Sequence, residues 1–118
     1  MSSVHINPNL VISNKYSTNE QKIGKWVDNK DLYRKTFTGN LPSLSTGYWT
    51  NVFAISGVSK SIKIYGILTR EDGSIIEVPR YENSNYNLLL DYSSGYIRAL
   101  GIGYNGFAYT ISVEYTKN

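Results

Sequence analysis

Cysteine is absent from this chain, so neither a disulfide nor a thiolate metal site can hold it together, and its stability must come from packing or from assembly of copies. Histidine occurs once, as His5 in a polar N-terminal stretch, which leaves a histidine metal site or a Ser–His nucleophile pair without partner residues. No apolar run approaches the about 18 residues that cross a bilayer, and the N-terminus lacks the basic-then-apolar pattern of a signal peptide. The expectation is a soluble protein with no membrane insertion and no classical export. Met1, Ser2 and Ser3 read as a start or an added leader, so the chain is also expected to be a piece of a longer protein. Nowhere do apolar residues recur at the i, i+3, i+4 and i+7 spacing of a packed helix, which excludes a helical bundle.

What is present is a single domain's worth of β-rich segments. At 118 residues the chain is long enough for one adequate core and too short to split. Its net charge of +3 is a mild excess, and apart from Arg34–Lys35 the lysines and arginines are scattered. No basic run alternates with aromatics, so no nucleic acid is expected as a partner. Eleven tyrosines, set among many Asn, Ser and Thr, give rings and short hydrogen-bonding groups with little side-chain entropy to lose. That composition suits recognition of polar ligands.

Residues 1–15 carry no sustained period and read as a lead-in or a joint to an upstream stalk, with only Leu10, Val11 and Ile12 able to pack. From 16 to 118, short strands alternate with Gly, Asn, Asp and Ser clusters. The last strand is the clearest: Tyr109, Ile111, Val113 and Tyr115 share one face and Thr110, Ser112, Glu114 and Thr116 the other, one buried and one wet. Residues 61–70 form a second strand with Ile62, Ile64 and Leu68 on one side, and Glu71–Asp72–Gly73 turns the chain into 74–80, which Pro79 should end or leave at an edge. Residues 49–55 form another strand, Leu88, Leu89 and Leu90 a fully buried one, and Asn105–Gly106 predicts a hairpin between 96–102 and 107–115. The sum is an all-β, antiparallel β-sandwich of seven or eight strands with jelly-roll-like connections.

The stretch 16–37, YSTNEQKIGKWVDNKDLYRKTF, carries the most information. Bottom-up it is a β-hairpin: one strand over 21–27, a turn of Asp, Asn and Lys over 28–31, and a returning strand over 32–37. The same letters resemble the signature "YSTEE, variable, IG-x-W-ID-G-K-x-(I/L)-YRKTF" at the C-terminal ends of tail-fibre and receptor-binding proteins of phages, prophages and tail-like bacteriocins of Gram-positive bacteria. The matching residues include Tyr16, Glu20, Gln21, Trp26, Asp28, Lys30, Tyr33, Arg34, Lys35, Thr36 and Phe37. SIKIYG at 61–66 resembles that family's middle strand and EYTK at 114–117 its ending. Asn29 stands where the family usually has Gly, and Asp31 where it often has Pro; Asn tolerates positive φ better than other non-Gly residues, so the turn is expected to survive. The resemblance implies a non-enzymatic fibre-tip domain, a homotrimer on a virion or a tail-like bacteriocin particle that attaches to host cell-wall polysaccharide or teichoic acid. No cofactor and no metal are implied.

Two segments are expected to be exposed loops with binding groups, 39–47 (GNLPSLSTG) and 81–86 (YENSNY). Tyr48 and Trp49, just after the first, offer flat rings for a sugar's C–H face, against the alternative that strand alternation buries one of them. In the second, Tyr81, Asn83, Asn85 and Tyr86 place two rings and two amides close together, against an ordinary solvated loop. Trp26 and Tyr33 are expected to face each other across the hairpin as a structural pair. Arg34 and Lys35 point to opposite faces of one strand, so the inward one needs a partner such as Asp28 or Glu20, or else the pair meets a phosphate. No two carboxylates are spaced as a glycosidase pair, and no catalytic residue is nominated.

Overall fold

A computed structural model describes residues 15–118. The lead-in expected over 1–15, with His5 and residues 10–12, lies outside the described residues except for Lys15. The described chain forms nine strands and no helix: β1 (Gln21–Lys25), β2 (Asp31–Asn40), β3 (Thr50–Ala54), β4 (Val58–Thr69), β5 (Ile75–Val78), β6 (Arg80–Asn83), β7 (Tyr86–Ser93), β8 (Tyr96–Ile102) and β9 (Ala108–Lys117). All pair antiparallel in two sheets, β1-β2-β9-β4-β5 and β3-β8-β7-β6. The β-sandwich expected from the sequence is therefore what forms.

The 16–37 hairpin pairs Gln21 with Arg34 and Lys25 with Asp31. Its turn is closed by Asn29 N–H donating to the Trp26 carbonyl at 2.9 Å and Lys30 N–H donating to Asp28 Oδ1 at 3.0 Å. Asn29 adopts φ +68°, the left-handed conformation its amide side chain tolerates, so the turn forms without a glycine there. Tyr33 does not meet Trp26; it is paired across β2 and β9 with Tyr115, ring centroids 6.2 Å apart. Trp26 falls beyond the end of β1, where its N–H donates to the Lys30 carbonyl at 2.9 Å, so Lys30 and not Tyr33 is its neighbour across the hairpin.

β9 lies at the centre of the five-stranded sheet, and its alternation places Tyr109, Ile111, Val113 and Tyr115 in the core as expected. Two clusters fill the space between the sheets. One gathers Leu68, Ile76, Val78, Leu88, Ala99 and Ile111, the other Ile55, Val58, Ile97, Val113 and Tyr115. Phe37 of β2 stacks on Phe53 of β3 with centroids 4.1 Å apart, and Phe53 on Tyr109, joining the two sheets through rings.

Several expectations give way to tertiary structure. The strand count is nine rather than seven or eight, because Pro79 ends β5 and the chain re-enters the opposite sheet as β6. Residues 81–86 are therefore not a free loop but most of a hairpin, with Tyr81 paired to Asn87 and Asn83 to Tyr86. Leu88–Leu89–Leu90 is not a buried run: Leu88 is 0 % exposed and Leu89 46 %, since one side of their sheet faces out. Asn105–Gly106 turns with Gly106 at φ +78° and Phe107 N–H donating to the Tyr104 carbonyl at 3.2 Å, yet it joins β8 to β9 in opposite sheets, and Leu41 bonds both Gly106 and Phe107. Finally, the outward side of β9 is not uniformly wet: Ser112 and Thr116 are buried. The pairing of β2 with β9 and β3 with β8 wraps early chain against late chain as in a jelly roll, while β4–β5 and β6–β7–β8 are local hairpins.

Candidate functional site

The outer face of the four-stranded sheet is built by residues of alternate parity on four strands. Register places Asn51, Arg98 and Asp91 in one row, Leu100 and Leu89 in the next with Trp49 just ahead of β3, and Ile102, Asn87 and Tyr81 in a third. Asp91 and Arg98 form a two-pronged ion pair, Nε–Oδ1 2.9 Å and Nη2–Oδ2 2.6 Å, which fixes the guanidinium plane. The carboxylate raises the Arg98 pKa further, so the group is cationic at any working pH. The same guanidinium stands over Trp49, 5.1 Å from the ring centroid, and the residue is 37 % exposed.

Trp49 therefore marks one edge of this face and Tyr81, 71 % exposed, the other. The strand order puts about three spacings of about 4.8 Å between them. Between these rings lie two amides, one fixed ion pair and the aliphatic side chains of Leu89, Leu100 and Ile102, none of which belongs to either core cluster. Such a surface can stack a ring, accept and donate hydrogen bonds at fixed points, and bury an apolar partner.

The other expected site residues land elsewhere. Tyr48 is exposed and precedes Trp49 in a turn closed by its own N–H to the Ser45 carbonyl, ahead of β3. The 39–47 segment is tied down by Leu41 in the core and by Leu44 N–H on Asn105 Oδ1. Asn83 spends its side-chain oxygen on the N–H groups of Asn85 and Tyr86, and Asn87 donates to its backbone carbonyl. Asn83 is thus a turn-forming residue, and Asn85 sits in the turn it closes. Tyr86 is exposed and its ring lies 5.9 Å from that of Tyr104. The structure brings together Trp49 and Tyr81 on one face, keeps Asn83 and Asn85 in the β6–β7 turn, and puts Tyr86 at the opposite parity of β7, beside Tyr104.

Asn51, Asn87, Leu89, Asp91, Arg98 and Leu100 were missed by sequence reasoning. The signal was there in the alternation Asn87, Leu89, Asp91 against Leu88 and Leu90, but three consecutive leucines masked it. Of the carboxylates, Glu71 and Glu77 alone lack a hydrogen-bond or ion-pair partner among the described residues, the rest being engaged by Lys, Arg, Tyr or turn N–H groups. Among the described residues no group of three His, Cys, Asp or Glu is placed to hold a metal.

The motif residues form a separate construction on the five-stranded sheet. Lys15 to Glu20 lie along β2, where Thr36 N–H donates to the Ser17 carbonyl and the side chains of Arg34 and Gln21 both donate to the Lys15 carbonyl. Arg34 faces away from the core and is nonetheless 6 % exposed, because the Tyr16 ring covers it. Glu20 accepts from Tyr115 Oη at 2.5 Å and Lys117 Nζ at 2.9 Å. Burial pulls the Glu20 carboxyl upward, but those two hydrogen bonds outweigh it and hold it below the ordinary carboxylate value. Lys35, on the opposite side of β2, extends over Phe37, 5.2 Å from the centroid, and its charge acts on Glu20. Compared with family models, with curated proteins and with solved structures, the chain matches none of them.

Proposed function

We propose that this chain is a non-enzymatic receptor-binding module, the trimeric tip of a phage tail fibre or of a tail-like bacteriocin particle, that attaches to saccharide of the host cell surface. The observation that carries the reading is the outer face of the four-stranded sheet, where Trp49 and Tyr81 flank Asn51, Asn87 and the fixed Asp91–Arg98 pair. Rings stack on sugar C–H faces while the amides and the ion pair orient hydroxyls. Arg98, although paired, gives the face a cation that suits teichoic acid as well as neutral wall polysaccharide. Copies on one particle bind together, so weak single sites still anchor it. The 16–37 motif supports the fibre-tip part of the reading, and its contacts explain it as a structural signature.

The test is binding of the labelled protein to a panel of Gram-positive cells and purified wall polysaccharides, with mass by light scattering on the same sample. Strain-selective, saturable binding that W49A and Y81A abolish, with the trimer intact, is the expected result. A second reading has its own support: Leu89, Leu100 and Ile102 lie outside the core on that same face, as they do where copies of a chain pack together. In that case the domain is a trimerisation or capping module without its own receptor site, and L89D dissociates the assembly while cells are not bound at all.

A further inference from the structure

We infer that the outer face of the five-stranded sheet carries a second ligand site, a groove that takes one neutral pyranose ring. The groove has a volume of about 500 Å³ and its lining includes Tyr16, Tyr65, Glu77, Thr110, Ser112 and Thr36. Register explains the grouping: Glu77, Ile67 and Thr110 form one row across β5, β4 and β9, and Tyr65, Ser112 and Thr36 the next across β4, β9 and β2.

The floor is polar and buried. Thr36 Oγ1 and Ser112 Oγ lie 2.7 Å apart, with their residues 6 % and 3 % exposed. Two hydroxyls carry two protons and share one hydrogen bond, so one O–H remains to donate into the groove. At the rim, Glu77 is exposed and has no partner among the described residues, and an ionised carboxylate only accepts. The wall is aromatic: Tyr16 and Tyr65 stand at 84° with centroids 6.3 Å apart, and Tyr65 is fixed by donating its hydroxyl to Glu114 at 2.6 Å.

A half-exposed ring, a free carboxylate and a buried hydroxyl donor within one groove match a ligand with a C–H face on one side and hydroxyls around its edge. Glu77, exposed at the rim with no cation paired to it among the described residues, disfavours an acidic sugar or a phosphate there. The Arg34 guanidinium lies 3.9 Å from the Tyr16 centroid and Lys63 Nζ 4.6 Å from that of Tyr65, so each ring already has a cation against it, and the exposed part of Tyr16, a residue 53 % exposed, is what remains for a C–H face. This groove shares no residue with the four-stranded face, and the thickness of the sandwich, about 10 Å between sheets, separates them. It stands or falls apart from the proposed function.

The experiment is a titration of the isotope-labelled full chain, followed by amide chemical shifts, with the methyl glycosides of glucose, galactose and N-acetylglucosamine. Glucuronate and tetramethylammonium are the anionic and cationic controls. At least one neutral glycoside is expected to give saturable shifts at Gly66, Ile67, Glu77, Thr110 and Ser112, with neither control doing so. E77Q, a change at an exposed position that leaves the spectrum folded, weakens that binding about tenfold through loss of a charged acceptor. W49A leaves it unchanged. The inference is overturned if none of the glycosides saturates at those amides, if a control binds equally well, or if E77Q has no effect. Shifts confined to Asn87, Leu89 and Arg98 reject the groove and leave the four-stranded face standing.

Discussion

The Arg34 guanidinium carbon lies 3.9 Å from the centroid of the Tyr16 ring, which so covers a cation on the outward side of the sheet. The two residues are eighteen positions apart in the chain and belong to the two ends of one sequence signature. Glu20 with Tyr115 and Lys117, and the Lys15 carbonyl with Gln21 and Arg34, belong to the same construction. Together these contacts clamp one segment, Lys15 to Glu20, against β2 and the end of β9.

The clamp predicts measurable coupling. R34A removes both the stacked cation and the hydrogen bond to Lys15 and is expected to cost about 2 kcal/mol in urea unfolding, with Y16A about 1 kcal/mol. The double variant should then cost less than the sum by about 1 kcal/mol. Strict additivity in that cycle means the ring and the guanidinium do not interact.

Strand β7 offers a contrast between adjacent leucines. L88A should destabilise by about 2–5 kcal/mol, because the side chain is enclosed by the core and leaves a cavity. L89A, on the open face, should lie within about 0.5 kcal/mol of the parent. Equal effects at the two positions overturn the outward assignment of this face, unless the protein is measured as an assembly that covers Leu89.

Glu20 makes stability depend on pH in a definite direction. Its folded pKa is lowered relative to the ordinary 4.5, so the unfolded chain takes up the proton first, and the contribution is present at neutral pH and lost as pH falls below about 4.5 through the folded value. Asp31 and Asp72, lowered by hydrogen bonds from Lys25 and Lys22 and from Ser74, act in the same direction. E20Q should flatten part of the acid limb of a stability-versus-pH curve; an unchanged limb assigns it wholly to the other carboxylates. On the alkaline side, burial raises Tyr104 and Tyr109, and burial with carboxylate hydrogen bonds raises Tyr65 and Tyr115. Spectrophotometric titration should therefore show these four phenols ionising above the ordinary value of 10.0 until the protein unfolds, with stability falling as pH rises above 10.0.

The hairpin turn tests the backbone argument. N29A forces a Cβ without a hydrogen-bonding side chain into φ +68° and should cost about 1 kcal/mol, whereas N29G should be neutral or slightly stabilising. A loss of stability in N29G equal to that in N29A means the amide, and not the conformation, is what the turn requires.

The all-β class, the 16–37 hairpin, the Glu71–Gly73 turn and the inward face of β9 were legible in the sequence because each depends on local chemistry. Period-two alternation, turn residues with the right φ preference and a proline that cannot continue a ladder act over a few residues. Three other features were not legible, for one reason. Whether Asn105–Gly106 makes a hairpin depends on which sheet the next strand joins, and the turn's own geometry is the same either way. Whether Leu89 is inside depends on the other face of its sheet being left uncovered. Whether Ser112 is wet depends on Thr36, which bonds it from β2, and on a segment nearly a hundred residues away lying along β2. The residues on the outer face of the four-stranded sheet come from four strands, and only the register between those strands sets Trp49, Arg98, Asp91, Asn87 and Tyr81 side by side. The sequence by itself determined which residues have the chemistry to stack, pair and turn; the tertiary structure decided which of them share a face, because sheet pairing is non-local and local propensity does not encode a partner.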